Sequence, residues 1–258
     1  MIVQDVIDKL ERQSPTDAAM EWDNVGLLVG DANKGVKRIY IALDATDEVI
    51  KHAVEVKADM LITHHPLIFS GMKRITSDDF IGRRVISLVK NDMAYYAIHT
   101  NFDVYGMGAL AQEALELIDA LPLDVSHGEE GIGRIGNFAV PIKLKKLATE
   151  VKKKFKVDAV RVYGDVDSKV QKIAISPGSG KSEIDNAIEQ GADVLITGDI
   201  GHHDGIDSVA RGMAIIDAGH YGLEHLFIDY MAYYLGDGHD LSGIKIFTEE
   251  KCNPYYTL

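Results

Sequence analysis

The chain is nearly without cysteine. Cys252 stands alone among 258 residues, so no disulfide can close within the chain. A reducing, cytoplasmic localisation is the expectation. Long apolar runs are missing too: none approaches the roughly 20 residues a helix needs to span a bilayer, and no membrane partner is expected. Basic charge is scarce. Lys and Arg total 27 against 40 Asp and Glu, a net charge of −13. A field of that sign works against nucleic-acid binding, which relies on cations neutralising phosphates. The one basic stretch, "KLKKLATEVKKKFK" (143–156), reads first as the solvated face of a surface helix. The start, "MIVQDVIDKLERQ", lacks the basic head, apolar stretch and small-residue cleavage site of a secretory leader. Its Val3, Val6, Ile7 and Leu10 recur at helical spacing, which predicts an amphipathic first helix.

What is present is an α/β rhythm. "RIYIAL" (38–43) precedes a helical stretch over about 47–57. "DMLIT" (59–63) follows, then a helix around 79–91, then "AYYAI" (94–98) and a helix over about 107–118. Short apolar strands alternating with helices point to βαβ units and a largely parallel sheet. The middle breaks the rhythm. "SHGEEGIGRIG" (126–136) reads as a glycine-rich turn region, with "NFAVPI" (137–142) and "AVRVYG" (159–164) as strands around the Lys-rich helix. The rhythm resumes with "KIAIS" (172–176), a helix over 181–190, "DVLIT" (193–197), "MAIID" (213–217), a helix over 222–235 and a last strand, "IKIFT" (244–248).

The chain also repeats itself. Shifted by 134 residues, "IKHAVEVKADMLIT" (50–63) lies on "IDNAIEQGADVLIT" (184–197) with about eight of fourteen positions alike. A strand precedes each copy, and each is followed by another strand that ends in His. Those histidines are each trailed four residues on by an acid: His99 by Asp103, His220 by Glu224. The pattern predicts two similar α/β lobes made by internal duplication, 1–125 and 126–258, with the last strand free to return to the first lobe.

Ligands of parallel sheets sit at the carboxyl ends of strands. Four strand ends here carry metal-binding residue types: His64 and His65; His99 and Asp103; Asp199 with His202 and His203; His220 and Glu224. Imidazoles and carboxylates without thiols suit Zn²⁺, Mn²⁺, Fe²⁺ or Ni²⁺. The set is too large for one tetrahedral ion and fits two. Neighbours leaving a strand point to opposite faces, so the "HH" pair can hand one imidazole to each ion. Pro66 holds His65 extended. Two glycine-rich stretches read plainly. "GIGRIG" (131–136) matches a dinucleotide fingerprint only in letters, because a strand and not a helix follows it. "SPGSGKSE" (176–183) lacks P-loop spacing and reads first as a β–α turn with Ser182 near the cap, the alternative being a helix start whose backbone N–H groups hold a phosphate.

Together "EWDNVGLLVG" (21–30), "ITHHPLIF" (62–69), "HTNFD" (99–103), "EEGIGRIG" (129–136), "ITGDIGHHD" (196–204) and "DAGHYGLE" (217–224) resemble the Nif-three-like dinuclear-metal proteins. Members of that family carry the name GTP cyclohydrolase I type 2 homolog, and this chain resembles the minimal form without a mid-chain insert. The resemblance implies a dinuclear metal site in the cleft between the lobes and a toroidal homohexamer. It implies His64, His65, Asp103, His220 and Glu224 as ligands, with Glu224 bridging both ions. His99, Asp199, His202 and His203 become catalytic candidates for proton transfer or substrate orientation. Asn24 and Gly26 become candidates for the substrate wall. The implied function is a metal-dependent hydrolase of a small polar or nucleotide substrate, either opening the GTP ring with release of formate or cleaving a phosphoester. The alternative is a non-catalytic, metal-dependent ring that serves as a scaffold or adaptor.

Overall fold

A computed structural model describes residues 1–236, 241, 243–251 and 253–256. Cys252, the basis of the redox expectation, lies outside the described residues. In chain order the first elements are helix α1 (Val3–Gln13), strands β1 (Gly26–Val29) and β2 (Arg38–Ala42), α2 (Asp47–Glu55), β3 (Met60–Thr63), α3 (Phe80–Lys90) and β4 (Ala94–Ala97). A short helix α4 (Thr100–Phe102) runs through a π-helical turn at Asp103–Met107 into α5 (Gly108–Leu115). Then come β5 (Ile118–His127), β6 (Glu130–Lys143), α6 (Leu144–Lys154), β7 (Arg161–Tyr163) and β8 (Lys169–Ser179). The last elements are α7 (Ile184–Glu189), β9 (Val194–Gly198), α8 (His202–Ala210), β10 (Ala214–Asp217), α9 (His220–Glu224), α10 (Leu226–Gly236) and β11 (Lys245–Thr248).

The architecture is mixed α/β with two sheets, and the chain forms two compact units. One comprises Met1–Phe102 with Phe227–Lys251, the other Asp103–Leu226 with Cys252–Leu258. The division falls at Phe102 and Asp103 and not at 125–126, because α5 and β5 pack with the second sheet.

The first unit holds a five-stranded sheet in the order β1-β4-β3-β2-β11. Strands β11, β2, β3 and β4 are parallel, and β1 runs against β4. The final strand thus lies beside β2, at the edge opposite β1. β3 and β4 are buried along their whole length, as strands covered on both faces must be. Met60, Leu61 and Ile62 are fully enclosed, each contributing about 1.5–3 kcal/mol through burial. Thr46 and Asp79 start α2 and α3 by accepting the backbone N–H of Val49 and Gly82.

The second unit holds a six-stranded sheet in the order β5-β6-β8-β9-β10-β7, of which β8, β9 and β10 are parallel. The glycine-rich segment expected as a turn is instead a hairpin, with β5 and β6 paired from Ile118–Asn137 to His127–Glu130. Gly131 and Gly136 belong to the strand because a Cβ there would strike the backbone of β5. α6 buries Leu144, Leu147, Ala148 and Val151, so its lysines form a solvated face.

Both units contain the same β-α-β-α-β path, and its details recur at the shift of the sequence repeat. Ile39 pairs with Met60 as Ile173 pairs with Val194. The Asp59 carboxylate accepts the N–H groups of Lys37 and Arg38, both at 2.8 Å. Asp193 accepts those of Gln171 and Lys172 at 2.7 and 2.9 Å. Each acid locks the entry of the first parallel strand to the entry of the second.

Candidate metal centre

In the first unit, β3 and β4 are neighbours, so their carboxyl ends deliver His64, His65 and His99 to one place. One ring nitrogen from each lies within 4.8 Å of the others. The ring centroids of His64 stand 4.9 Å from His65 and 5.2 Å from His99. Each imidazole is anchored through Nδ1. His64 reaches the Ile98 carbonyl at 2.9 Å, His65 the Asp44 carboxylate at 2.9 Å and His99 the Asp23 carboxylate at 2.9 Å. An acceptor at Nδ1 fixes the proton there and leaves Nε2 as the nitrogen with the lone pair. This is the arrangement that oriented metal-binding histidines use. His64 is fully buried, its ring against Phe102 and Phe227. His65 is held from behind by Tyr95, whose hydroxyl donates to the His65 carbonyl at 3.0 Å and accepts the Leu67 N–H at 2.7 Å.

Asp23 ties the turn before β1 to the same place. Its buried carboxylate takes the His99 ring nitrogen and the hydroxyl and N–H of Thr100. Burial alone would raise its pKa. The hydrogen bonds from His99 and Thr100 outweigh that, and the value falls to about 2.

In the second unit, α9 begins just past β10. It carries His220 and Glu224 one helical turn apart, with His220 Nε2 3.0 Å from Glu224 Oε2. His220 Nδ1 is held by Asp199 at 2.8 Å. Asp199 follows β9 with φ of +57°, a left-handed conformation that is uncommon outside glycine and recurs at functional sites. The Asp103 carboxylate, on the π-helical turn, has an oxygen within 4.8 Å of one from Glu224. π-helical turns are frequent at functional sites. Gly178, at φ of +76°, leaves Glu224 its room: a Cβ there would collide with Oε1.

Taken unit by unit, the donors are of the kind a divalent ion takes: the first offers three imidazoles anchored through Nδ1, the second an imidazole and two carboxylates, residue types that hold Zn²⁺ and its neighbours. His202 and His203 stand elsewhere. They open α8, exposed, with their rings 5.2 Å apart, and neither joins a group of possible ligands among the described residues. Asn24 donates its amide to the Ile68 carbonyl at 2.5 Å, and Gly26 opens β1 opposite Ala97.

The family description Duf34/NIF3 (NGG1p interacting factor 3) matches residues 1–254. The chain belongs to the Duf34/NIF3 family. A Clostridium perfringens protein named GTP cyclohydrolase 1 type 2 homolog is 38% identical over 232 residues, 87% of each chain. A Lactococcus lactis protein of the same name is 35% identical over the whole of both chains. Among solved structures, a Bacillus cereus protein related to NIF3 superposes with a TM-score of 0.95 at 26% identity, covering 100% of this chain and 99% of that one. Reduced HcgD from Methanocaldococcus jannaschii gives 0.84 at 31% identity over 96% and 97% of the chains.

Within this NIF3 chain, sequence reasoning singled out the imidazoles but not the groups that aim them. Asp44 follows β2, so the rule that drew attention to the other strand ends applies to it equally. Asp23 sits inside the quoted "EWDN", yet its role needs the fold: 76 residues separate it from His99. Nothing in the sequence marked Tyr95 or Gly178.

Proposed function

We propose that this chain is a dinuclear-metal-dependent hydrolase of a small polar or nucleotide substrate. His64, His65, Asp103, His220 and Glu224 would be the protein ligands, with Glu224 shared between the ions. The observation that carries the reading is the shared anchoring of His64, His65, His99 and His220. All four hold Nδ1 on an oxygen acceptor; His64, His65 and His99 thereby present Nε2, and His220 turns its Nε2 to the Glu224 carboxylate at 3.0 Å. Side chains that merely fill space have no need of the same anchoring four times over.

When bound, paired divalent ions supply a water of lowered pKa and positive charge beside the electrophile. The chain's own residues do the rest. Asp44, Asp23 and Asp199 hold the imidazoles of His65, His99 and His220 in orientation. His99 and Asp199 accept or return protons at the site, and His202 and His203 serve the same end from the surface of α8. The relatives' name, GTP cyclohydrolase 1 type 2 homolog, makes a nucleotide the first substrate class to test. The matching register and paired Asp59 and Asp193 clamps support descent of both units from one duplicated βαβ segment. We also propose assembly as a ring of six copies.

The test is elemental analysis together with turnover. Protein purified without chelator is expected to hold two divalent ions per chain and to hydrolyse one of a panel of nucleotides and phosphoesters with Mn²⁺ or Zn²⁺. Glu224→Ala is expected to lose both ions and all turnover. Well under one ion per chain in the unaltered protein would sink the reading.

A further inference from the structure

We propose that Trp22 and Phe69 form a stacking wall for a planar heteroaromatic ring of the substrate beside His99. This rests on the hydrolase reading above and names the kind of substrate it takes.

The argument begins with an anomaly of exposure. Trp22 is the single tryptophan of the chain. It is 60% exposed, and Phe69 is 51% exposed. Large aromatic side chains are normally buried for most of their surface. An exposed tryptophan on a loose loop would need no explanation, but this turn is held on both sides. Met20 N–H reaches the Thr100 hydroxyl at 2.9 Å, Asp23 holds His99 and Thr100, and Asn24 holds the Ile68 carbonyl. The two segments bearing the rings are therefore tied to each other and to the end of β4. That holds Trp22 outward at a fixed place.

That place is next to the imidazole cluster. The Trp22 ring lies 6.1 Å from His99, edge-on, and 5.7 Å from Phe69 at an interplanar angle of 42°. Two tilted aromatic faces make an open wedge. The group that best covers such faces is another flat π system, which stacks without needing hydrogen bonds. A second copy of the chain is a poorer occupant. Half-exposed, the two rings offer about 250 Å² at most, against roughly 800 Å² per partner in a standard interface.

The lone tryptophan makes the test direct, since its fluorescence reports on this position alone. The metal-loaded full chain is titrated with guanosine monophosphate and, separately, with ribose 5-phosphate, which has the same sugar phosphate and no ring. Guanosine monophosphate is expected to quench the emission saturably, and ribose 5-phosphate to leave it unchanged. By calorimetry, Trp22→Ala is expected to raise the dissociation constant for guanosine monophosphate roughly 5- to 150-fold, the range that loss of one base stack gives. Metal content should be unchanged, and Trp22→Phe should recover most of the affinity. No quenching, or a Trp22→Ala affinity within about twofold of the parent, overturns the proposal. So does a change of mass by light scattering in Trp22→Ala with a silent titration, which would make the rings a contact between copies. Saturable ring-dependent quenching without turnover of any nucleotide would keep the wall and remove the hydrolase. Equal turnover of a nucleotide by parent and Trp22→Ala would do the reverse.

Discussion

At the scale of the residue, the site depends on acids that point imidazoles. Asp23 carries the clearest electrical signature. Its native pKa lies near 2, below the ordinary carboxylate value of 3.8. A depressed acid contributes stability that is fully present above its unfolded pKa and is lost as pH falls through the native one. The Asp23 share therefore disappears between about pH 4 and pH 2. Asp23→Asn is expected to lower stability at neutral pH and to flatten the acid limb over that interval, read by urea denaturation at a series of pH values. An unchanged slope would mean the carboxylate is not ionised against His99 and Thr100. These pointing acids show how far a sequence speaks. Histidines after buried strands stand out because a continuous apolar run ends in a polar pair. Which oxygen takes each Nδ1 depends on ring directions and on partners 21 to 76 residues away, and no spacing rule carries that.

At the scale of the element, the two parallel βαβ segments use one device twice. Asp59 and Asp193 each fasten two N–H groups at the start of the preceding strand. Asp59→Ala and Asp193→Ala are each expected to cost about 1–3 kcal/mol of stability, the net worth of two such bonds. Equilibrium denaturation of both variants checks this. A large loss in one and none in the other would break the equivalence. The units differ where the chemistry differs. The shift that places Met60 on Val194 places His64 on Gly198 and His65 on Asp199. Any Cβ at 198 would strike the backbone at the start of α9, so an imidazole cannot stand there. The second unit presents His220 and Glu224 from α9 instead, and Asp199 becomes the partner of His220. Buried strands and helical faces were legible because their periodicity is imposed by burial. The β5–β6 hairpin was not, because glycines that admit a close neighbouring strand look the same in a sequence as glycines that make a turn.

At the scale of the whole molecule, the two units do not follow each other along the chain. The first is begun by residues 1–102 and completed by 227–251. Helix α10 sends the Tyr234 hydroxyl to the Lys9 carbonyl at 2.8 Å, and Glu249 takes the Leu43 N–H at 3.1 Å. A chain ended after residue 226 is expected to leave β2, β3 and β4 open to hydrogen exchange while β8, β9 and β10 stay protected. Full protection of β3 in the shortened chain would show that the return of the C-terminal segment is dispensable. The pairing of β11 with β2 joins strands about two hundred residues apart. A last apolar strand announces itself in the sequence, but its seat does not. Among the described residues no helix is long and apolar enough to cross a membrane.

The seating of His64 against Phe227 has a consequence in time. A ribosome that has just released Phe102 must still add residues 103–226 before Phe227 exists. At roughly 5–20 residues per second that is on the order of 6–25 s. Through that interval the imidazoles of the first unit are made but lack the ring that closes over His64. Closure of the apolar wall around His64 is therefore among the last events of synthesis, and a chain ended before Phe227 never completes it.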